Sequence, residues 1–207
     1  MSNSKYSFGV IVFNFLFSVI LIAFFINSIS VLNVITASKT LESPSFQIVR
    51  VLLYGSSQED SGDTLSGRIS LMDTKGNEIA VIERSWPGVY LFIDFTKSNI
   101  SGKNFYFPYL IRSTEKLYEK NNKLKRRKGT YLYPYFMENR QCLLFNSSEN
   151  EKSRRDLYKV AKFSKNPGIM YFSDITKNIV VNLSECQSGI YYGIFINEEG
   201  KLVFREE

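Results

Sequence analysis

Residues 68–84 read RISLMDTKGNEIAVIER, and this stretch decides the fold class. Segments 68–73 and 78–84 alternate apolar with polar side chains, the period of a strand with one face on a core. Between them Thr74, Lys75, Gly76 and Asn77 have turn composition, and Gly76 and Asn77 tolerate the positive φ that a tight hairpin needs. The reading is an antiparallel hairpin, and the neighbouring sequence extends it. Trp86-Pro87-Gly88 turns the chain, and 89–96 (VYLFIDFT) alternates again. Segment 103–112 (KNFYFPYLIR) is a further strand in which Pro108 marks an edge or a bulge. Upstream, 45–54 (SFQIVRVLLY) is β-branched and apolar, and 55–67 reads as a loop of Ser, Gly, Asp and Glu.

Downstream the pattern is less regular. Segment 113–128 (STEKLYEKNNKLKRRK) has no apolar stripe and reads as an exposed loop. Segment 131–136 (YLYPYF) is aromatic, and 141–145 (QCLLF) reads as a short strand. Ser148 and Glu151 fit a helix-capping box. Leu157, Val160 and Ala161 form one helical stripe, ended by Asn166-Pro167-Gly168. Segments 169–172, 179–183 and 190–196 follow as strands, the last closing through 197–200 onto 201–205. About eight strands with one helix and no strand–helix alternation predict a mainly β (α+β) domain, an antiparallel sheet or sandwich with one added helix.

The N-terminus is of another kind. No charged side chain occurs from Tyr6 to Ser38, and 8–26 is an apolar run broken only by Gly9, Asn14 and Ser18. About 20 apolar residues cross the roughly 30 Å hydrocarbon core as a helix. The expected organisation is a tail and transmembrane helix over 1–38 (core 8–26), a linker over 39–44 and a single β-rich domain over 45–207. Cleavage after Ser30, leaving a secreted protein, is the alternative. The short leading tail places the domain outside the cytoplasm.

The chain has 26 basic and 20 acidic residues and no His. Lys120, Lys123, Lys125, Arg126, Arg127 and Lys128 stand in one segment without an acid, and the rest of the chain is balanced. A local basic run beside Tyr131, Tyr133 and Tyr135 suits anionic lipid, wall polymer or a protein partner. Nucleic acid is disfavoured, because the domain is placed outside the cytoplasm. Trp86, at its Ser-Trp-Pro-Gly corner, either stacks on a ligand ring or caps a core edge.

Absence of His removes His triads, His general bases and His metal ligands. Ser113-Thr114-Glu115-Lys116 matches a Ser-x-x-Lys pattern but lacks its companion elements. Glu59, Asp60 and Asp63 lack calcium-loop spacing, so no metal and no cofactor is expected. Cys142 and Cys186 either pair in an oxidising compartment or stay as buried thiols. Enzymatic chemistry would have to rest on carboxylates, as in a glycan hydrolase.

The stretch 62–88 (GDTLSGRISLMDTKGNEIAVIERSWPG) with Tyr90-Leu91, then QCLLF at 141–145 and Cys186-x-x-Gly189-x-Tyr191-Tyr192, resembles uncharacterised membrane-anchored proteins of spirochaetes. The resemblance implies a bacterial envelope location and carries over no activity and no functional residue.

Overall fold

The computed structural model describes residues 3–41, 45–59, 62–114, 129–144, 151–166 and 175–207. Helix α1 (Asn3–Thr40) is followed by strands β1 (Phe46–Glu59), β2 (Gly62–Met72), β3 (Glu78–Pro87), β4 (Tyr90–Ile100), β5 (Lys103–Thr114) and β6 (Thr130–Tyr131). A single helical turn α2 (Tyr133–Phe136) leads to β7 (Met137–Glu138) and β8 (Gln141–Cys142), then helix α3 (Glu151–Lys165), β9 (Thr176–Asn182), β10 (Tyr191–Ile196) and β11 (Leu202–Glu206). The strands form a five-stranded sheet, β11-β10-β1-β2-β3, a four-stranded sheet, β6-β5-β4-β9, and the small pair β7-β8, with every pairing antiparallel. The fold is mainly β within α+β, as the alternating pattern predicts.

The hairpin over 68–84 forms in the expected register, with Ile69 opposite Ile82 and Leu71 opposite Ala80. Ile69, Leu71 and Ile82 enter the core while Val81 faces solvent. Asp73 organises the turn: its Oδ1 accepts the amides of Lys75 and Asn77, both at 2.8 Å. Of the two candidates for positive φ, only Gly76 takes it, at 80°. Segment 55–67 differs from the expected loop. Residues 55–59 and 62–67 are the outer part of a long β1–β2 ribbon that pairs Ser56 with Leu65 and Ser57 with Thr64. Backbone pairing holds this ribbon together, Leu65 is its one buried apolar side chain among the described residues, and hydroxyl pairs such as Ser57–Thr64 (2.7 Å) line it, so hydrophobic alternation could not reveal it.

Both sheets share one continuous core. Strand β4 is buried on both faces, and α3 covers the face of Ser98, whose Oγ donates to Ser164 Oγ at 2.6 Å. Helix α3 ends at Lys165, just before the Asn-Pro-Gly stop. The first residues of its capping box and the expected strand over 169–172 lie outside the described residues.

Helix α1 is longer than its apolar run. From Phe8 to Ile26 every side chain is exposed, and none of its most hydrophobic stretch is buried, which separates it from the core helix of a soluble protein. By length and composition it can serve as a membrane anchor or a signal sequence. Beyond Ile26 the same helix continues for about 20 Å, and its residues become covered at helical spacing: Ser28, Val31 and Ile35 are half-buried, Val34 and Ser38 are buried, and so is Leu41 just past its end. Val34, Ala37 and Leu41 belong to the domain core, where α1 packs chiefly against α3.

The β4–β5 turn closes this junction. Ser101 and Gly102 both have positive φ (54° and 78°), which allows a two-residue hairpin loop. Lys103, the next residue, donates through Nζ to the carbonyls of Ser38 and Lys39 (3.3 Å each) and of Leu41. A cation on the orphan carbonyls of a helix C-terminus meets both their hydrogen-bonding need and the negative end of the dipole. Ser101 Oγ lies 3.1 Å from Ser38 Oγ, and Thr40 Oγ1 lies 3.3 Å from Asp156 Oδ2. The apolar run and the domain therefore meet within one helix.

Candidate functional site

Of the residues singled out in the sequence, Tyr131 and Tyr133 meet at one end of the four-stranded sheet. There the register of β5 against β4 slips by one, with Leu110 opposite Asp94 and Pro108 opposite Phe95, so that Tyr109 is the extra residue of a bulge. Pro108 has no amide to donate, and the bulge accommodates it. The Tyr109 carbonyl accepts the Leu132 amide (2.9 Å), which brings the aromatic segment back over β5. The Tyr109 ring meets Tyr131 and Tyr133 edge-on, with centroids 5.6 and 6.0 Å away, and Tyr133 meets Phe136 at 5.3 Å. Helix α2 packs against β3, the strand that carries Trp86. Arg84 Nη1 donates to Thr130 Oγ1 (3.0 Å), tying β3 to β6.

The basic segment is rooted at this aromatic corner. It leaves after Thr114, the last residue of β5, and returns at Gly129, one residue before β6 pairs with Leu110 and Ile111. The Thr114 carbonyl accepts the Val89 amide at 3.2 Å. Gly88 makes that approach possible: its φ is 107°, and a Cβ there would stand 2.7 Å from the Thr114 oxygen. Lys120, Lys123, Lys125, Arg126, Arg127 and Lys128 themselves lie outside the described residues. Their root stands at the opposite end of the β4–β5 hairpin from the Ser101–Gly102 turn that meets α1.

Burial divides the aromatic candidates. Tyr131 and Tyr135 are 48% and 40% exposed and offer ring faces to a ligand. Trp86 and Tyr133 are 2% and 4% exposed, so they belong to the core and present no stacking face. Burial raises the Tyr133 phenol pKa above its ordinary value, and Lys165 Nζ stands 5.1 Å from the ring centroid. Trp86 thus caps the core, the second of the two roles its Ser-Trp-Pro-Gly context allowed.

Cys142 and Cys186 are both free. Burial pushes each thiol up to about 12, with Glu185 adding to the shift at Cys186. An activated thiol needs the reverse shift. In the native chain at pH 8, maleimide labelling of both is expected to be about a thousandfold slower than for an ordinary thiol, with full labelling on unfolding. Fast native labelling at either position would contradict the burial. The same shifts fix a pH trend. The folded chain holds these protons, and that of Tyr133, more tightly than the unfolded chain does. The associated stability is complete below the ordinary thiol value of 9.0 and is lost as pH rises toward about 12. A denaturation midpoint rising over that window would be the opposite result.

The buried carboxylates each have a structural task. Asp94 holds Arg112, Asp156 accepts from Lys159 at 2.7 Å, and Asp73 closes the β2–β3 turn. Among the described residues no group of three or more His, Cys, Asp or Glu could hold a metal. Ser113 lies on β5 opposite Leu91, not at a helix start as its Ser-x-x-Lys pattern would need. Glu59 ends β1, and Asp60 of the acidic triplet lies outside the described residues.

Three features had no sequence signal. Lys103 at the end of α1 and Arg84 on Thr130 are solitary cations until the fold supplies their partners. Lys97 and Lys177 stand directly opposite on β4 and β9, and with Asn99 and Ile175 they line a cleft of about 160 Å³. Compared with known proteins, the chain matches no family model, no curated protein and no solved structure.

Proposed function

We propose that this is a membrane-anchored envelope protein whose β-rich domain, outside the cytoplasm, binds or scaffolds an anionic surface without catalysis. The observation that carries the reading is the continuity of α1, whose exposed apolar run passes into turns that the domain buries. A bilayer covers the first part, and the second holds the domain at its surface. The basic segment 120–128 is the gripping element, with Tyr131 and Tyr135 as ring faces beside its root. Fourteen residues, 115–128, anchored at both ends, reach at most roughly 25 Å from that root. Each basic side chain near an anionic membrane contributes about 1 kcal/mol, and salt weakens the attraction.

The full chain in zwitterionic nanodiscs tests this against anionic lipid vesicles and isolated anionic wall polymer as separate arms. Replacement of all six bases by Ser is expected to reduce capture at least tenfold in one arm, with unchanged thermal unfolding. Equal capture of both forms in both arms would remove the basic segment from the function. A mature N-terminus at Val31 would instead make the protein a secreted one. Protease treatment of cells stripped of their outer membrane tests the outward orientation, since a domain protected until lysis faces the cytoplasm.

A further inference from the structure

The anchor run contains one polar side chain for which the fold supplies no partner. Asn14 is exposed, and its side-chain amide has no hydrogen bond among the described residues. Ser18, one turn on, is satisfied locally, its Oγ donating to the Asn14 carbonyl at 2.8 Å. On the reading of α1 as a retained anchor, Asn14 lies three residues from Phe17, the centre of the 8–26 run. That is about 5 Å from the bilayer midplane, deeper than its short side chain can span to reach headgroups or water. In hydrocarbon, an amide with two donors and an acceptor left unsatisfied is strongly disfavoured.

We infer that α1 associates with α1 of a second copy of this chain through paired Asn14 amides. A primary carboxamide is its own complement, since each can donate one N–H to the other's oxygen. Two copies inserted with the same topology bring the same residue to the same depth, which no arbitrary partner helix does. Ser18 adds a small side chain on the same face, allowing close approach of the backbones.

The domain leaves this face open. At 100° per residue, Asn14, Ser18, Leu21 and Phe25 share one narrow arc. The residues that bury α1 in the domain, centred on Val31, Val34, Ser38 and Leu41, lie roughly half a turn around the helix. Two helices can therefore meet along the Asn14 face with each domain on the outer side.

The test is energy transfer between two differently labelled populations of the full chain in phosphatidylcholine vesicles, as protein is diluted in lipid, with alkaline carbonate extraction of the same samples. Wild type should associate, Asn14→Leu should need about tenfold higher density, and Asn14→Gln, which keeps the carboxamide, should stay within a few-fold of wild type. Equal transfer for wild type and Asn14→Leu, with both retained after extraction, would overturn the pairing and leave the anchor standing. Loss of the wild type on extraction would overturn the anchor, and the pairing with it.

Discussion

Val34→Asp is expected to detach α1 from the domain and to lower the domain's stability by about 3–4 kcal/mol, while Thr36→Asp on the same helix stays within about 0.5 kcal/mol of wild type. Val34 is 4% exposed in the core, and Thr36 is exposed. The first change removes a buried aliphatic side chain, worth about 1.5 kcal/mol, and places an unpaired carboxylate in an apolar site. The second adds a charge that water solvates. Both alter the helix charge equally, so their difference isolates the docking. Urea unfolding of the full chain in detergent micelles, followed by Trp86 fluorescence, measures it; this sole Trp is buried in the native domain. Equal midpoints for the two variants would mean that the last turns of α1 do not hold the domain. The functional consequence is positional. On the proposed reading of α1 as an anchor, a domain tied to it by Val34, Ala37, Leu41 and the Lys103 contacts is held at the bilayer surface rather than on a free tether.

Asp94→Ala is expected to cost about 3–5 kcal/mol, because it leaves Arg112 charged and largely enclosed without its partner. Asp94 is 1% exposed, and its two carboxylate oxygens accept from Arg112 Nε at 3.1 and 3.2 Å. The guanidinium also lies 4.5 Å from the Phe92 ring centroid. The pair spans β4 and β5 diagonally, next to the register slip at Pro108 and Tyr109. It therefore holds the bulge from which the aromatic corner is built. Asp94→Leu combined with Arg112→Met should recover most of the loss, since replacing both partners with apolar groups removes the stranded charge. A loss below about 1 kcal/mol for Asp94→Ala would show that solvent reaches the pair and screens it.

The parts that could be read from the sequence are those whose physics is local. The 68–84 hairpin alternates with a period of two around a Gly turn, and it formed in register. The stripe Leu157, Val160, Ala161 became the buried face of α3. The β10–β11 hairpin closed at the expected place. Serine-rich 55–67 was opaque, because its pairing rests on backbone groups that every sequence carries. The candidate site was half legible. The cluster of Tyr131, Tyr133 and Tyr135 was visible as composition, but which rings face outward depends on Tyr109 and α2, brought together across 20 or more positions.

By itself the sequence determined an uncharged apolar run long enough to cross a bilayer, a strand-rich remainder and one concentrated basic segment. These follow from composition and periodicity, which act over a few neighbouring residues. Only the tertiary structure decided that the last turns of α1, expected as helix through residue 38, dock on the domain and continue to Thr40. The turns after Ile26 mix Asn, Ser and Thr with Val, Ile and Leu, and their helical state is secured by a buried face against α3 and by Lys103, more than sixty residues away, on the last carbonyls. A helix end is a set of unsatisfied carbonyls, and where it falls depends on a donor that only the folded chain brings to it.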